Sequence, residues 1–193
     1  RAGAKWLVLE TTSHALAQHR VWGVPYEIAV MTNVTHEHLD YHGTFERYVN
    51  AKAGLFRIAN RHGRRFGVVN ADDPSAPIFQ KSINRSVTYG INAGDLRASN
   101  IELKPDGSRY IVAIKDTRLE INCHIPGEFN VYNSLAAVAV GLELKLNLNQ
   151  IASGIAALEG VEGRDLLDPG ETRLAQAVVD RRCVLPSLAV DAF

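Results

Sequence analysis

Trp6-Leu7-Val8-Leu9-Glu10-Thr11-Thr12-Ser13-His14-Ala15-Leu16-Ala17-Gln18 begins as a short apolar run, closes it with a carboxylate and passes directly into residues of helical character. The pattern predicts a buried strand feeding a helix. Thr12 or Ser13 is its N-cap, because a hydroxyl there satisfies N–H groups that the first helical turn leaves unpaired. The same order recurs. Ile28-Ala29-Val30-Met31 reads as a second core strand, and the polar stretch 35–43 leads into a helix over about 44–60. Residues 65–70 form a third strand, closed by Ala71-Asp72-Asp73-Pro74, a turn whose proline suits the start of another helix. Strand and helix in alternation predict an α/β fold, a mostly parallel sheet flanked by helices.

After Ser86 the periodicity changes. Val87-Thr88-Tyr89, residues 98–103, 110–114 and 119–123 are short alternating runs, and Pro105-Asp106-Gly107 is a hairpin signal between two of them. A small antiparallel β appendage is expected there. Helical patterning returns over about 127–145 and 150–158, with no internal repeat and no low-complexity tract.

The 193 residues are 46% hydrophobic and 22% charged, with Lys+Arg 21 against Asp+Glu 21, so the formal charge is zero. A chain of this length buries a core without needing staples. Zero net charge argues against a protein built to grip bulk nucleic acid or an anionic membrane, both of which favour a basic excess. No apolar run approaches the ~20 residues of a membrane span. Cys123 and Cys183 fit no metal spacing and suit a reducing cytoplasm better than a disulfide framework. The chain starts at Arg1 and its single methionine is Met31, so a piece of a larger protein is expected.

Five of the seven histidines fall between His14 and His42, a concentration that points to a site, although each alone also suits a solvated strand end. Glu10 closes the first strand at the carboxyl edge of the sheet, where open α/β folds place ligands, and a carboxylate there can hold a hard cation such as Mg²⁺. On the helix over 44–60, Phe45, Tyr48, Val49, Leu55, Phe56 and Ala59 form one apolar stripe with Lys52 in its middle. Such a lysine either snorkels to the helix edge or is buried, available to pair with an anion or to react as a neutral amine. Asn130 and Asn133 put two amides on one face near a helix start. They suit an adenine edge, and equally a cap or turn. Asp72 and Asp73 sit beside a turn and are compatible with that role alone.

Five segments occur in the order and spacing of the Mur ligases: Leu9-Glu10-Thr11-Thr12-Ser13-His14-Ala15-Leu16, residues 32–43, Ala51-Lys52, Asn70-Ala71-Asp72-Asp73 and Gly127-Glu128-Phe129-Asn130-Val131-Tyr132-Asn133. From about residue 6 to 164 the chain resembles the central, ATP-binding domain of that family, the cytoplasmic bacterial enzymes that form amide bonds in peptidoglycan synthesis. Gln18-His19-Arg20-Val21 and His38-Leu39-Asp40-Tyr41-His42-Gly43 are most similar to the branch that adds a diamino acid to UDP-MurNAc-L-Ala-D-Glu.

The resemblance implies a P-loop-NTPase-like domain. It also implies a reaction in which the D-glutamyl carboxylate attacks the γ-phosphate of ATP, and the amine of the diamino acid displaces phosphate from the resulting acyl phosphate. It further implies two Mg²⁺ ions, with Glu10 and His38 as ligands and Lys52 carrying a CO₂-derived carbamate that places the second. Thr12, Ser13, Gln18 and Arg20 would contact the UDP-sugar peptide; Asn130 and Asn133 would read adenine and Arg164 would approach the nucleotide. The partners implied are the UDP-MurNAc-dipeptide and the diamino acid, acting on a monomer, with neither nucleic acid nor membrane involved. Most family members carry Ser at the position of Thr12, so the hydroxyl is kept.

Two features depart from the family. No glycine here is followed by lysine, so the phosphate-loop pattern G-x-x-x-x-G-K-[ST] is absent. From Asp165 the family pattern stops: residues 165–193 read as a divergent tail, expected to be a frameshifted or decayed start of a C-terminal domain, with Val178-Val179-Asp180 faintly like its first strand. The domain expected is thus 1–164, inactive by itself. The readings that compete with a ligase part are a noncatalytic nucleotide- or UDP-sugar-binding module and a metal hydrolase built on His36, His38, Asp40 and His42.

Overall fold

Alternation along two short strands sorts the core into two halves. In β2 (Ile28–Met31), Ile28 and Val30 join one apolar cluster while Ala29 and Met31 join another; in β3 (Phe66–Asn70), Phe66 and Val68 are divided from Val69 in the same way. Successive strand residues point to opposite faces, so strands buried at every position need covering on both. The computed structural model describes residues 7–35, 39–158 and 188–192. β1 (Val8–Thr12) runs into α1 (Ser13–Ala17), α2 (Leu39–His42) and α3 (Phe45–Ala59) follow β2, and α4 (Ala76–Lys81) and β4 (Arg85–Gly90) follow β3. Then come β5 (Leu96–Lys104), β6 (Gly107–Ile114), β7 (Thr117–Cys123), α5 (Glu128–Glu143), α6 (Leu148–Ala156) and β8 (Leu188–Ala192).

Among the described residues the strands form one sheet in the order β1-β8-β2-β3-β4-β5-β6-β7, parallel as far as β5 and antiparallel from β5 to β7. One face is covered by α1, α3 and α4, where Leu16, Val49, Phe56 and Phe79 meet Ala29, Met31 and Val69. The other is covered by α5 and α6, where Val131, Leu135 and Ile155 meet Ile28, Val68 and Tyr110. α5 is buried on nearly every side, as a helix without a polar stripe must be.

The α/β class with an antiparallel section is as expected, but several details differ. Val87-Thr88-Tyr89 lies in β4, which pairs parallel with β3, so it belongs to the main sheet. The β5–β7 section continues that sheet through Tyr89↔Leu96 and Gly90↔Arg97, because its inner residues Ala98, Tyr110, Val112, Leu119 and Ile121 need the same cover from α5. β1 extends two residues past Glu10 and is only partly buried, as befits a strand at one end of the sheet. In α4 it is Pro77, not Pro74, that occupies the first turn. α6 starts at Leu148 behind a capping box of Asn147 and Gln150, two residues before the periodicity places it. Of the tail, residues 188–192 form β8, parallel between β1 and β2; residues 159–187, with Arg164 and Val178-Val179-Asp180, lie outside the described residues.

At Gly67 the Phe56 ring of α3 lies close against the backbone of β3. A Cβ there would fall 2.9 Å from both Phe56 and Ile83. Gly67→Ala is expected to overpack this contact and destabilise the fold by about 1–3 kcal/mol, read by chemical denaturation.

Candidate active site

The parallel strands β1, β8, β2, β3 and β4 present their carboxyl ends along one edge, the place where open α/β sheets bind ligands. Side chains from the exit of β3 join three of the loops there. Asn70 donates through Nδ2 to the Thr32 carbonyl at 2.7 Å and accepts the Asp72 N–H at 3.0 Å. Asp73 accepts the Val34 N–H through Oδ2 and the Ser75 N–H through Oδ1, both at 2.7 Å. Asp72 takes the backbone N–H groups of Ile91, Asn92 and Ala93 at 2.7, 2.9 and 2.8 Å, and the Tyr132 hydroxyl of α5 at 2.9 Å. Burial by itself would raise the Asp72 carboxyl, but these donors outweigh it and hold it below its ordinary value. The Tyr132 phenol is pushed up to about 12 by burial and by donating to that carboxylate.

On the other side of the sheet, α1, α2 and α3 gather a second group. The Thr12 hydroxyl caps α1 by accepting the Ala15 N–H at 3.2 Å. Ser13 is buried and its Oγ lies 3.0 Å from Nε2 of His42, itself 8% exposed. The His42 ring stands 5.5 Å from His14 and 5.4 Å from Tyr48, and the Lys52 ammonium nitrogen lies 5.2 Å from the centre of the Tyr48 ring. Lys52 is fully buried, which overturns the snorkelling alternative. Gln18 and Arg20 are exposed beyond α1, and Glu10 is exposed on β1 opposite Val190. The structure therefore brings Ser13 and Lys52 into one cluster with Thr12 at its border. His36, His38 and Arg164 lie outside the described residues, and Asp40 falls on α2. Among the described residues, no three His, Cys, Asp or Glu side chains come together to hold a metal.

At the start of α5, Asn130 and Asn133 are 3% and 4% exposed and bond to one another, Asn133 Nδ2 donating to Asn130 Oδ1 at 3.2 Å. Tyr132 between them anchors this end of the helix to Asp72 at the exit of β3.

Residues 1–141 match the Mur ligase middle domain. The chain belongs to the Mur ligase family. It is 40% identical over 167 residues to the UDP-N-acetylmuramoyl-L-alanyl-D-glutamate--2,6-diaminopimelate ligase of Halalkalibacterium halodurans, covering 85% of this chain and 34% of that protein. The ligase of the same name from Gloeobacter violaceus is 40% identical over 164 residues, 84% of this chain and 33% of that protein. Among solved structures, a UDP-N-acetylmuramoyl-L-alanyl-D-glutamate--2,6-diaminopimelate ligase superposes with a TM-score of 0.72 at 31% identity, over 81% of this chain and 33% of that one. MurF from Acinetobacter baumannii superposes at 0.66 with 25% identity, over 73% and 31%. The chain spans about a third of the length of the curated relatives it matches.

In this Mur ligase middle domain the residues that sequence reasoning undervalued are Asp72, Asp73 and Tyr132. Two consecutive carboxylates behind a buried asparagine, and a tyrosine set between two amides on an otherwise apolar helix, were the available signals. Replacing Asp72 by Ala is expected to cost about 1–3 kcal/mol at pH 7 by leaving its donors unmatched. Because the folded carboxyl is held low, its contribution is full above about pH 4 and fades as the pH falls through the folded value. The gap between wild type and Asp72→Ala should therefore close in acid, as read by urea unfolding at pH 7 and pH 3.

Proposed function

We propose that this chain is the middle domain of a ligase that joins a diamino acid to UDP-MurNAc-L-Ala-D-Glu at the expense of ATP, in bacterial peptidoglycan synthesis. The names of its relatives make 2,6-diaminopimelate the diamino acid proposed. The observation that carries this reading is the fully buried Lys52, set on an apolar helix face with its nitrogen over the Tyr48 ring, which in turn stands beside His42 and, through it, Ser13. The Lys52 amine is the proposed nucleophile. Loss of one proton from the ammonium frees the amine, whose attack on CO₂ forms an N–C bond as a C=O π bond opens and releases a second proton, leaving a carbamate anion in place of a cation.

That exchange matters for the metal. A lysine ammonium is no ligand for Mg²⁺, whereas carbamate oxygens and the Glu10 carboxylate are the oxygen donors a hard cation takes, and His38 is the further ligand proposed. Mg²⁺ held by these groups would neutralise phosphate charge as the acyl phosphate forms. Thr12 and Ser13 lie at the β1–α1 junction and Gln18 and Arg20 just beyond α1, and these four would contact the UDP-sugar peptide, with Arg20 suited to an anionic oxygen. Asn130, Asn133 and Arg164 would receive ATP. No glycine in the 193 residues precedes a lysine, so these residues supply no phosphate loop, and the chain by itself is proposed to bind without ligating. No helix among the described residues is long and apolar enough to cross a membrane, and a cytoplasmic monomer is the state proposed.

Incubating the chain with ¹³C-bicarbonate should give a carbamate carbon resonance that Lys52→Met, which keeps the buried volume, removes. A spectrum without that resonance in the wild type would refute the carbamate. In the full-length ligase, Lys52→Ala should abolish amide formation, and added short-chain carboxylic acids should restore part of it by supplying a carboxylate in the vacated space. Full activity without them would count against the role of Lys52.

A further inference from the structure

The helix α2 has four residues, fewer than a helix needs to stand by itself in water, so its place is set by what its side chains meet. Gly43 follows it with a φ of 76°, in the left-handed region that favours glycine, and Thr44 then caps α3 by accepting the Arg47 N–H at 3.2 Å. These two residues let the chain bend between α2 and α3. They do not bring α2 to α1.

That contact is made by rings and by one directional bond. Tyr41 and His42 stand against His14 in the first turn of α1, with 4.3 and 5.5 Å between ring centres. His42 Nε2 and Ser13 Oγ share a hydrogen bond at 3.0 Å, and the two residues are 8% and 1% exposed. A hydroxyl enclosed to that degree and engaged by an imidazole is not presented to a ligand outside. The same His42 ring stands 5.4 Å from Tyr48, over whose ring the Lys52 nitrogen lies. α1 and α3 are seated on the sheet through Leu16, Val49 and Phe56, and the Ser13–His42 bond ties α2 to that frame.

We infer that His42 is a positioning residue: through Ser13 it locks α2 to the first turn of α1, and so sets the spacing between the Thr12 end of the substrate site and the segment before α2 that carries His38. This rests on the ligase reading above and deepens it, giving the Ser13 hydroxyl an internal partner in place of the substrate. The residues proposed there belong to different elements: Thr12 caps α1, Lys52 is on α3, and His38 directly precedes α2 in the sequence. Ring contacts alone restrict distance, whereas a hydrogen bond restricts direction as well. Supporting bonds of this kind behind a metal site typically change metal affinity or activity about tenfold or more when they are removed.

The test uses His42→Leu and Ser13→Ala, which remove the bond, and His42→Gln, whose side-chain amide can stand in for imidazole Nε2. In the ¹⁵N-labelled 193-residue chain, the backbone order parameters of residues 39–43 should fall from about 0.85 to below about 0.6 in the first two variants and recover in His42→Gln, with β3 and β4 unchanged. In the full-length ligase, His42→Leu and Ser13→Ala should each raise KM for UDP-MurNAc-L-Ala-D-Glu and the Mg²⁺ concentration for half-maximal rate about tenfold, leaving KM for 2,6-diaminopimelate in place. Combining the two should add nothing further, since both remove the same bond. His42→Gln should stay within about threefold of wild type. If His42 merely fills space, the order reverses, because a buried leucine then packs better than a glutamine. Loss of folded protein, in turn, lowers kcat and leaves each KM in place. Should His42→Leu fail to fold, Ser13→Ala, which removes a single oxygen, carries the test. The reversed order, or wild-type order parameters or KM values in both bond-removing variants, overturns the positioning role. A wild-type ligase that forms no amide from these substrates overturns the ligase reading instead, and the order parameters of the chain still decide whether His42 places α2.

Discussion

The Asp72 carboxylate joins three parts of the chain that are far apart in sequence. It terminates β3, receives three successive N–H groups from the turn after β4, and holds the Tyr132 hydroxyl near the start of α5. Its neighbours extend the same junction: Asp73 and Asn70 fix the chain leaving β2. Without these bonds the sheet would still have its two apolar faces, but its carboxyl edge would be a row of independent loops. Placing a helix that carries amides at the same edge as the exits of β2, β3 and β4 depends on this one charged group and its partners. Charged hydrogen bonds of this kind are the stronger ones, and several donors on one acceptor fix direction as well as distance.

Lys52 poses the opposite problem. It is fully buried on the apolar face of α3, with its nitrogen 5.2 Å from the centre of the Tyr48 ring. The Tyr48 ring links it to the buried His42 and Ser13, the cluster on which the proposed chemistry of Lys52 rests. The two sides of the sheet therefore divide the work proposed for a Mur ligase middle domain. In that proposal the amide end of α5 receives the nucleotide, and the α1–α3 cluster serves charge and substrate.

Much of this was legible in the sequence because it is local. The apolar runs of β2 and β3, the 3.6-period stripe on α3 and the Thr12 cap depend on residues within a turn of one another. The five ordered segments likewise placed the chain in its family. What sequence could not supply is non-local. It grouped Val87-Thr88-Tyr89 with the antiparallel strands, since strand partners are chosen by which apolar faces share a cover, and α5 covers both sections. It could not tell a snorkelling Lys52 from a buried one, because the answer depends on what packs over α3. It read Asp72 and Asp73 as turn residues, because their hydrogen-bond partners lie from two to sixty positions away. Composition and periodicity determined which segments are strand, helix or turn; the tertiary structure decided which polar atoms meet, since hydrogen bonds depend on distance and direction that no spacing along the chain encodes.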